Sequence, residues 1–360
     1  MSSDTPQGCN RRNYQAVLLH HGQVSVVSRP FRGPNPGEVV LRVEAASLCS
    51  TDLKILKKGH RLINPEEAAV LGHEIVGRVH AVGENAGQIT VGERVVVMPN
   101  VGCGTCELCR KGLENLCSDY RAFGIGLDGG LAEFMRVPSE AVSRGHLIAI
   151  SDTIPTQLAV LAEPLSCCYR GLRVSRLKAA ESLVVIGTGA MGLLTITLGK
   201  ALGAAPIIAV GHGGRSGLAA QFGADLTLDA LESGWQKAIW DVTHGTGADV
   251  VMVTASSSKA QHDAIALAAA LGRVNFFAGL PDDDGLHDFP SNVLHYRQVS
   301  VLGTTGSTRS DIEEVIRLME TGRLATASNV VTHVMGLREF MSAVTAMDQR
   351  NGLKCMLSVD

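Results

Sequence analysis

The sequence predicts an α/β protein of two domains, in which a doubly wound α/β domain is inserted into a β-rich domain formed by both chain ends. Three observations support this prediction. The chain has 360 residues, more than the roughly 250–300 residues at which single cores stop growing. Its first part contains short β-like runs, and its middle part alternates strand and helix patterns around a glycine-rich turn.

Short apolar runs in the first part of the chain are separated by Gly and Pro breaks such as RGPNPGE. This pattern is typical of all-β structure. The runs lie at residues 14–19, 24–27, 38–44, 76–83 and 93–99. We therefore assign residues 1–160 to a β-rich domain, which the C-terminal segment 300–360 completes.

The pattern changes near residue 155 to an alternation of helix and strand. Residues 154–177 have a helical pattern, and the segment LVVIGTGAMGLLTITLGKALGA combines a strand, a glycine-rich turn and a helix. Later segments predict a helix over 260–272 and a strand over 273–280. Such alternation implies a parallel sheet with helices on both faces. We assign residues 161–299 to this domain; beyond it we expect a helix over 311–320 and a final strand.

The composition excludes several classes of function. Hydrophobic residues make up 45% and charged residues 19%, and the formal net charge is -3, so no electrostatic footprint for nucleic acid or an anionic membrane is present. No apolar run reaches the roughly 18 residues of a membrane-spanning helix, and the N-terminal residues lack the apolar region of a secretion signal. We expect a cytoplasmic protein with a small-molecule substrate that binds neither nucleic acid nor a membrane.

The segment GCGTCELCRKGLENLC carries the strongest local signal. Cys103, Cys106, Cys109 and Cys117 have the spacing C-x2-C-x2-C-x7-C. A structural zinc ion takes four ligands tetrahedrally, and cysteines two residues apart can wrap one ion from a tight loop. We predict a closed zinc site that stabilises the loop; buried or redox cysteines and an iron–sulfur cluster are the alternatives.

Two further segments, SLCSTDLK and LGHEIVGRVHAVG, carry a second set of metal-binding side chains. Cys49, His73 and Glu74 form a ligand set that suits zinc, and three protein ligands leave a fourth position open for chemistry. A cysteine and a His-Glu pair also occur in many proteins as core and surface residues. The prediction of a catalytic zinc site therefore depends on the accompanying motifs.

The segment IGTGAMG predicts a dinucleotide-binding turn. Gly187, Gly189 and Gly192 follow the apolar run SLVVI and precede a helical pattern. The first glycine permits the tight turn, the second admits the pyrophosphate, and the third allows close helix–strand packing. The N-terminus of the helix would then supply N–H groups to the phosphates.

The next strand departs from the usual NAD pattern. An acidic residue is expected about 20 residues after the turn, to bind the adenosine ribose, but the chain has Gly211 there and no Asp or Glu between Glu181 and Asp225. Removing the carboxylate removes repulsion against a 2′-phosphate, which His212 and Arg215 could contact. We therefore expect NADP(H) to be preferred over NAD(H).

These motifs, taken in order, resemble those of the medium-chain zinc-dependent alcohol dehydrogenases over nearly the full chain, in particular the polyol (sorbitol) and threonine dehydrogenases. The matching segments are CSTD, GHExxGxVxxVG, VGERV, the four-cysteine segment, AEPLSC and GTGAMG. The resemblance implies a GroES-like catalytic domain over 1–160 and 300–360 and a Rossmann domain over 161–299, with the active site between them. It also implies a homodimer or homotetramer.

The resemblance implies roles for individual residues. Cys49 and His73 match zinc ligands, and Glu163 matches the acidic residue that polyol and threonine dehydrogenases place at the zinc. Either Glu74 is the third ligand while Glu163 holds the zinc water, or Glu163 binds the ion directly. Ethanol-type members carry a cysteine at the position of Glu163, so the acidic residue points to polyol-type substrates.

A proton relay is also implied. Thr51 matches the hydroxyl that accepts the substrate proton, Lys54 matches the outer end of the relay in some relatives, and Asp52 is expected to orient His73. The alternatives are a turn-capping threonine and a solvated lysine. His295 and Tyr296 could meet substrate, although packing is the plainer interpretation of both.

The predicted activity is the reversible oxidation of a secondary alcohol, in a polyol, sugar or cyclitol, to its ketone with NADP(H) or NAD(H) and two zinc ions per subunit. A dehydrogenase of a hydroxy amino acid or of a simple secondary alcohol is the alternative among zinc enzymes. The two remaining alternatives are a zinc-lacking quinone or enone reductase and a non-catalytic binding or structural member of the family.

Overall fold

Both chain ends contribute strands to one β-rich domain. The computed structural model describes residues 13–213, 217–281 and 289–359. The strands of this domain are β1 (Asn13–His20), β2 (Gln23–Pro30), β3 (Val39–Ser47), β4 (Ala69–Val70), β5 (Glu74–Val82), β6 (Arg94–Val97), β7 (Asn100–Val101), β8 (Arg121–Phe123), β9 (Gly126–Leu127), β10 (Phe134–Val137), β11 (Leu147–Ala149), β18 (Val331–Gly336) and β19 (Lys354–Ser358). A sheet of seven strands follows the path β11-β6-β5-β3-β19-β18 with β10 paired to β3, and two sheets of three strands have the orders β2-β1-β4 and β7-β8-β9.

Strand β3 is central to this domain, and most of its side chains are buried. It pairs in antiparallel fashion with β5 on one side and with the C-terminal strand β19 on the other. Because the C-terminal strand lies beside β3, the end of the chain reaches the segment that follows Ser47. A core of buried aliphatic side chains, including Leu41, Val79 and Leu357, fills the domain.

Short helices connect these strands: Ser50–Lys58, Glu107–Arg110, Ser139–Ser143, Thr156–Ala159 and Phe340–Asp348, with 3₁₀ turns at Glu114–Leu116, Ala325–Val330 and Leu337–Glu339. Helix Ser50–Lys58 begins after Cys49, whose N–H donates to Asp52 Oδ2 at 2.8 Å. This bond satisfies one of the free N–H groups at a helix start. The cap therefore fixes the backbone at Cys49.

The middle of the chain forms a six-stranded parallel sheet. Its strands are β12 (Leu183–Ile186), β13 (Ile207–Gly211), β14 (Leu226–Asp229), β15 (Ala248–Val253), β16 (Ala268–Phe276) and β17 (Ser300–Gly303), in the order β14-β13-β12-β15-β16-β17. The helices around it are Ala162–Val174, Ala190–Ala201, Trp235–Val242, Ser258–Leu267, Ser291–Arg297 and Arg309–Glu320, with a 3₁₀ turn at Ala219–Phe222. This is the doubly wound order of dinucleotide-binding folds. Within the described ranges, no helix is long and apolar enough to cross a membrane.

Both faces of the parallel sheet are buried, which explains the uninterrupted apolar run LVVI. Leu183 and Val185 belong to a core shared with helix Ala162–Val174 and with residues of the β-rich domain. Val184 and Ile186 pack on the opposite face. Alternate residues of one strand therefore fill two different cores.

The structure confirms the predicted fold class and differs from the sequence prediction in two places. Strand Ser300–Gly303 pairs in parallel with β16, so the sheet extends past the boundary predicted at residue 299. The helix expected over 260–272 ends at Leu267, and β16 begins at Ala268. A short apolar run such as ALAAALG fits a helix or a buried strand equally well by periodicity; pairing with β15 decides for the strand.

Candidate functional site

The four predicted thiols come together in one loop. Sγ of Cys103 lies 3.9 Å from Sγ of Cys109, and Sγ of Cys106 lies 3.8 Å from Sγ of Cys117. All four sulfurs lie within 4.8 Å of one another. A tetrahedral zinc ion with Zn–S bonds of about 2.3 Å requires S···S edges of about 3.8 Å. The loop therefore fits a closed zinc site.

Polar groups around this loop favour the thiolate of Cys103, whereas burial raises the pKa of Cys109 to about 12. The backbone N–H of Cys106 points at Sγ of Cys103 at 3.3 Å, and the hydroxyl of Thr105 lies 3.6 Å from the same sulfur. Hydrogen bonds from Thr105 and the backbone lower the pKa of Cys103 to about 6. The Glu114 carboxylate accepts a hydrogen bond from Gly102 N–H and lies 3.1 Å from His146 Nε2. These contacts hold the loop against the domain.

A second group of ligand atoms lies at the junction of β3 and β5. Atoms of Cys49, His73 and Glu74 lie within 4.8 Å of one another. Cys49 follows the end of β3, and Glu74 opens β5 directly opposite Ser47 in the antiparallel register. The pairing of two strands distant in sequence thus brings the CSTD and GHE motifs together.

The surroundings of these atoms suit a cation. His73 Nδ1 and Asp52 Oδ1 are buried, have no hydrogen-bond partner among the described residues, and lie 3.7 Å apart. Burial lowers the pKa of His73, but the neighbouring charge of Asp52, contacts with Cys49 and the charge of Glu163 outweigh it and raise that pKa well above its usual value. The pocket is electronegative, and the nitrogen and sulfur donors are those that zinc prefers.

Lys354 is a member of this site that the sequence did not point to. The side chain is only 3% exposed, and its Nζ donates to Glu74 Oε1 at 2.5 Å and to the carbonyl of Leu48 at 3.2 Å. Glu74 also accepts a hydrogen bond from the hydroxyl of Ser47. A lysine in an otherwise apolar terminal strand was the available signal. Both Glu74 oxygens therefore already have protein donors.

Glu163 lies in the first turn of helix Ala162–Val174. It does not belong to the group of atoms within 4.8 Å, yet its charge influences His73. Burial raises its pKa, partly offset by His73. One turn later, Cys167 Sγ donates to Glu163 Oε1 at 3.2 Å, whereas Cys168 is fully buried in the core. Glu163 thus lies close enough to the Cys49 group for its charge to act on His73.

The two relay candidates occupy different environments. Thr51 Oγ1 lies 3.7 Å from Cys49 Sγ and is half-buried. Lys54 is exposed on the same helix three residues later, a spacing that places two side chains on one face. The structure therefore brings Thr51 to the site and leaves Lys54 at the surface. His295 and Tyr296 contact each other edge to face, and Tyr296 is exposed.

The glycine-rich turn has the space that a dinucleotide requires. Gly187 has φ of +115°, a conformation that favours glycine, and a Cβ on Gly192 would lie 1.8 Å from the Gly187 carbonyl oxygen. A Cβ on Gly189, by contrast, would have no atom within 4 Å. Gly189 caps helix Ala190–Ala201, so open space lies where N–H groups point outwards.

Gly211 ends strand β13 beside this turn. A Cβ there would lie 2.1 Å from Thr188 Oγ1, so packing against Thr188 is by itself a reason for glycine. The missing acid therefore has a steric explanation besides coenzyme choice. His212 is exposed, and Arg215 lies outside the described residues.

Comparison with known proteins decides the family. The chain matches the family described as alcohol dehydrogenase GroES-like domain over residues 35–146 and the family described as zinc-binding dehydrogenase over residues 190–321. The chain belongs to the zinc-dependent medium-chain alcohol dehydrogenases. It is therefore an oxidoreductase that acts on CH–OH groups with a nicotinamide dinucleotide.

Three members of this family illustrate its range. L-threonine 3-dehydrogenase of Pyrococcus furiosus is 32% identical, over 83% of this chain and 84% of the relative. Erythritol/L-threitol dehydrogenase of Mycolicibacterium smegmatis is 31% identical, over 96% and 95%. The crystal structure of a zinc-binding dehydrogenase from Sinorhizobium meliloti 1021 bound to NADP has a TM-score of 0.88 and 28% identity, covering 97% of this chain and all of that one.

Proposed function

We propose that this medium-chain dehydrogenase reversibly oxidises a secondary alcohol of a polyol, sugar or cyclitol to the ketone, with NADP(H) preferred. The substrate class is supported by the acidic residue Glu163, whose charge acts on the neighbouring His73. A carboxylate at this place can accept a hydrogen bond from a polyhydroxylated substrate or from solvent. The similarity to an erythritol/L-threitol dehydrogenase supports the same class.

We further propose two zinc ions per subunit. One would be held by the four thiols of the cysteine loop, and the other by Cys49, His73 and Glu74, with Glu163 nearby. Since Glu74 is already paired with Lys354, its carboxylate donates less charge to a metal than a free one. Bound zinc would lower the pKa of the substrate hydroxyl, and bound nicotinamide would accept the hydride.

Side chains of the chain itself would position the groups and move the proton. Asp52 is close enough to His73 to hold its ring in one orientation, as metal-binding histidines commonly require. The Thr51 hydroxyl, beside Cys49, would take the substrate proton and pass it along the helix face to Lys54, which reaches solvent. The cleft between the two domains would exclude water from the reacting atoms.

The NADP(H) preference rests on the absence of a carboxylate at Gly211 and on the exposed His212 beside it. The NADP in the Sinorhizobium meliloti structure adds support, because that protein is similar to this chain over nearly its full length. A 2′-phosphate carries two negative charges at most, so a single nearby basic group can change the ratio of the two affinities measurably.

We also propose a cytoplasmic homodimer or homotetramer. Strand Ser300–Gly303 is at the edge of the parallel sheet in the described part of the chain, and an edge strand can pair with a second copy. Light scattering on purified protein tests this. A monomer at micromolar concentration would contradict it.

A hydroxy amino acid is the second candidate substrate, because the chain is 32% identical to an L-threonine 3-dehydrogenase. A rate screen decides between the candidates. Polyols, cyclitols and L-threonine are each incubated with NADP+ and with NAD+, and the absorbance of the reduced nicotinamide is followed. We expect the highest kcat/KM for a polyol or cyclitol with NADP+. A highest value for L-threonine, or activity with enones alone, would contradict the proposal.

A further inference from the structure

The structure places a carboxylate beside the end of strand β13, on a strand further along the chain. Strand β14 ends at Asp229, and it pairs in parallel with β13 so that Asp229 is in register with Gly211. Parallel strands end at the same edge of a sheet, and the glycine-rich turn lies at this edge. The residue at the end of β13 is where this fold recognises the adenosine ribose. Asp229 is therefore one strand away from that position.

The Asp229 side chain is fixed towards the loop that follows Gly211. Its Oδ2 accepts a hydrogen bond from Gly213 N–H at 3.1 Å, and its Oδ1 accepts one from Leu231 N–H at 2.9 Å. Because the main chain holds both oxygens, the carboxylate cannot turn away. A negative charge therefore stays within hydrogen-bond distance of the backbone only two residues beyond Gly211.

We propose that Asp229 is a specificity-determining residue that opposes the adenosine 2′-phosphate and so limits the preference for NADPH over NADH. The proposal rests on the proposed function in that the coenzyme binds at this turn. The 2′-phosphate is negative and the 2′-hydroxyl of NADH is neutral, so the repulsion acts on one coenzyme alone. Asp229 also occupies Gly213 N–H, a donor of the kind that binds phosphates.

A purely structural role makes a different prediction. If Asp229 only ordered the loop through its hydrogen bonds to Gly213 and Leu231, its loss would lower the affinities for NADPH and NADH to the same extent. The charge is therefore tested separately from the hydrogen bonds. Asp229→Asn retains the size of the side chain and one acceptor oxygen while removing the charge.

The strand provides a matched control at its other end. Asp225, just before β14, also accepts a backbone hydrogen bond, from Ile207 N–H to its Oδ2 at 2.8 Å. Asp225→Asn makes the same chemical change at the N-terminal end of the strand, away from the glycine-rich turn. Its effect on coenzyme discrimination measures the contribution of net charge and general stability.

The experiment measures Kd for NADPH and NADH by fluorescence titration of the zinc-loaded protein at low and high salt. With Asp229→Asn we expect NADPH to bind about fivefold more tightly at low salt, NADH to change less than about twofold, and the gain to shrink at high salt. Asp225→Asn should leave the ratio of the two Kd values unchanged. If the Asn variant does not fold, Asp229→Ser removes the same charge.

The role of Asp229 would be overturned if Asp229→Asn left the ratio of the Kd values for NADPH and NADH unchanged or weakened the binding of both coenzymes equally. It would also be overturned if Asp225→Asn changed this ratio to the same extent. The ratio of the two Kd values in the wild-type protein tests the coenzyme preference that we propose, and not the role of Asp229. A wild type that prefers NADH would contradict the coenzyme part of the proposed function, while the change caused by Asp229→Asn would still decide whether Asp229 opposes the phosphate.

Discussion

Lys354 and Glu74 form an ion pair in which both side chains are almost fully buried, at 3% and 1% exposure. The pair connects the C-terminal strand to the first residue of β5, next to His73. Burial lowers the pKa of Lys354, but the charge of Glu74 outweighs it and raises that pKa above its usual value. The lysine therefore stays charged and keeps Glu74 in place beside the proposed metal ligands.

Lys354→Met should destabilise the fold strongly. Removing one partner leaves a buried, uncompensated carboxylate, which costs about 3–5 kcal/mol in buried pairs. The free energy of unfolding, measured by urea denaturation at constant zinc, reports the loss. Lys354→Arg keeps the charge and should lose less than half as much. A loss below about 1 kcal/mol for the Met variant would show that the pair is not important for stability.

Cys117→Ser should remove one of two zinc ions. Serine is a poor zinc ligand, and the other three thiols cannot close a tetrahedral site. Metal analysis should find one ion per subunit in the purified variant and two in the wild type. Cys355→Ser is the control, because Cys355 is buried in the β-rich core and is not one of the four grouped thiols; this variant should retain both ions. Two ions in the Cys117 variant would contradict the assignment.

An acid introduced at position 211 should change the coenzyme preference only when it is given space. Because a Cβ there would lie 2.9 Å from the Thr188 Cβ and closer still to its hydroxyl, Gly211→Asp alone should lower the affinity for both coenzymes. Thr188→Gly combined with Gly211→Asp should favour NADH by about tenfold relative to Thr188→Gly alone. Equal ratios of kcat/KM in these two variants would argue against the 2′-phosphate explanation.

The stability contributed by Glu38 should depend on pH. Burial raises its pKa, but hydrogen bonds from Asn35 and Arg136 outweigh this and hold the pKa below the usual 4.5. A carboxylate whose pKa is lower in the folded state stabilises the fold when the pH is above its pKa in the unfolded state. This stabilisation is lost as the pH falls through its pKa in the folded state. Near neutral pH, Glu38→Gln should therefore cost about 1–2 kcal/mol.

The free energies of unfolding of Glu38→Gln and the wild type, measured by urea denaturation, should become more similar below about pH 4.5. Glu320→Gln, a change at an exposed position, should have no effect at any pH. A difference for Glu38→Gln that stays constant with pH would mean that shape, and not charge, is responsible.

Local motifs could be found in the sequence because their chemistry depends on spacing. The four thiols lie within fifteen residues, and the three glycines of the turn lie within six. The fold class and the family, which follow from the order of such motifs, are confirmed. The roles of Thr51, Lys54 and Glu163 stay predictions, as does the identity of the third zinc ligand.

Contacts between distant segments could not be predicted in the same way. Lys354 is 280 residues from Glu74, and only the pairing of β19 with β3 brings them together. The position of Asp229 next to Gly211 could not be predicted either, because only the pairing of β14 with β13 brings the two residues together. The boundary at residue 299 was wrong because VSVLG, a short apolar run, gives no sign of which sheet it joins.

The most direct test of zinc-dependent polyol oxidation is the rate of reduced nicotinamide formation from the best polyol or cyclitol with NADP+. Wild type, Cys49→Ala and Cys168→Ser are compared after zinc loading. Cys168 is the control because it is buried and belongs to neither group of metal-binding side chains. We predict that Cys49→Ala lowers kcat by about a thousandfold or more and that Cys168→Ser stays within about threefold of wild type. A Cys49→Ala variant that oxidises the polyol at the wild-type rate would contradict the account.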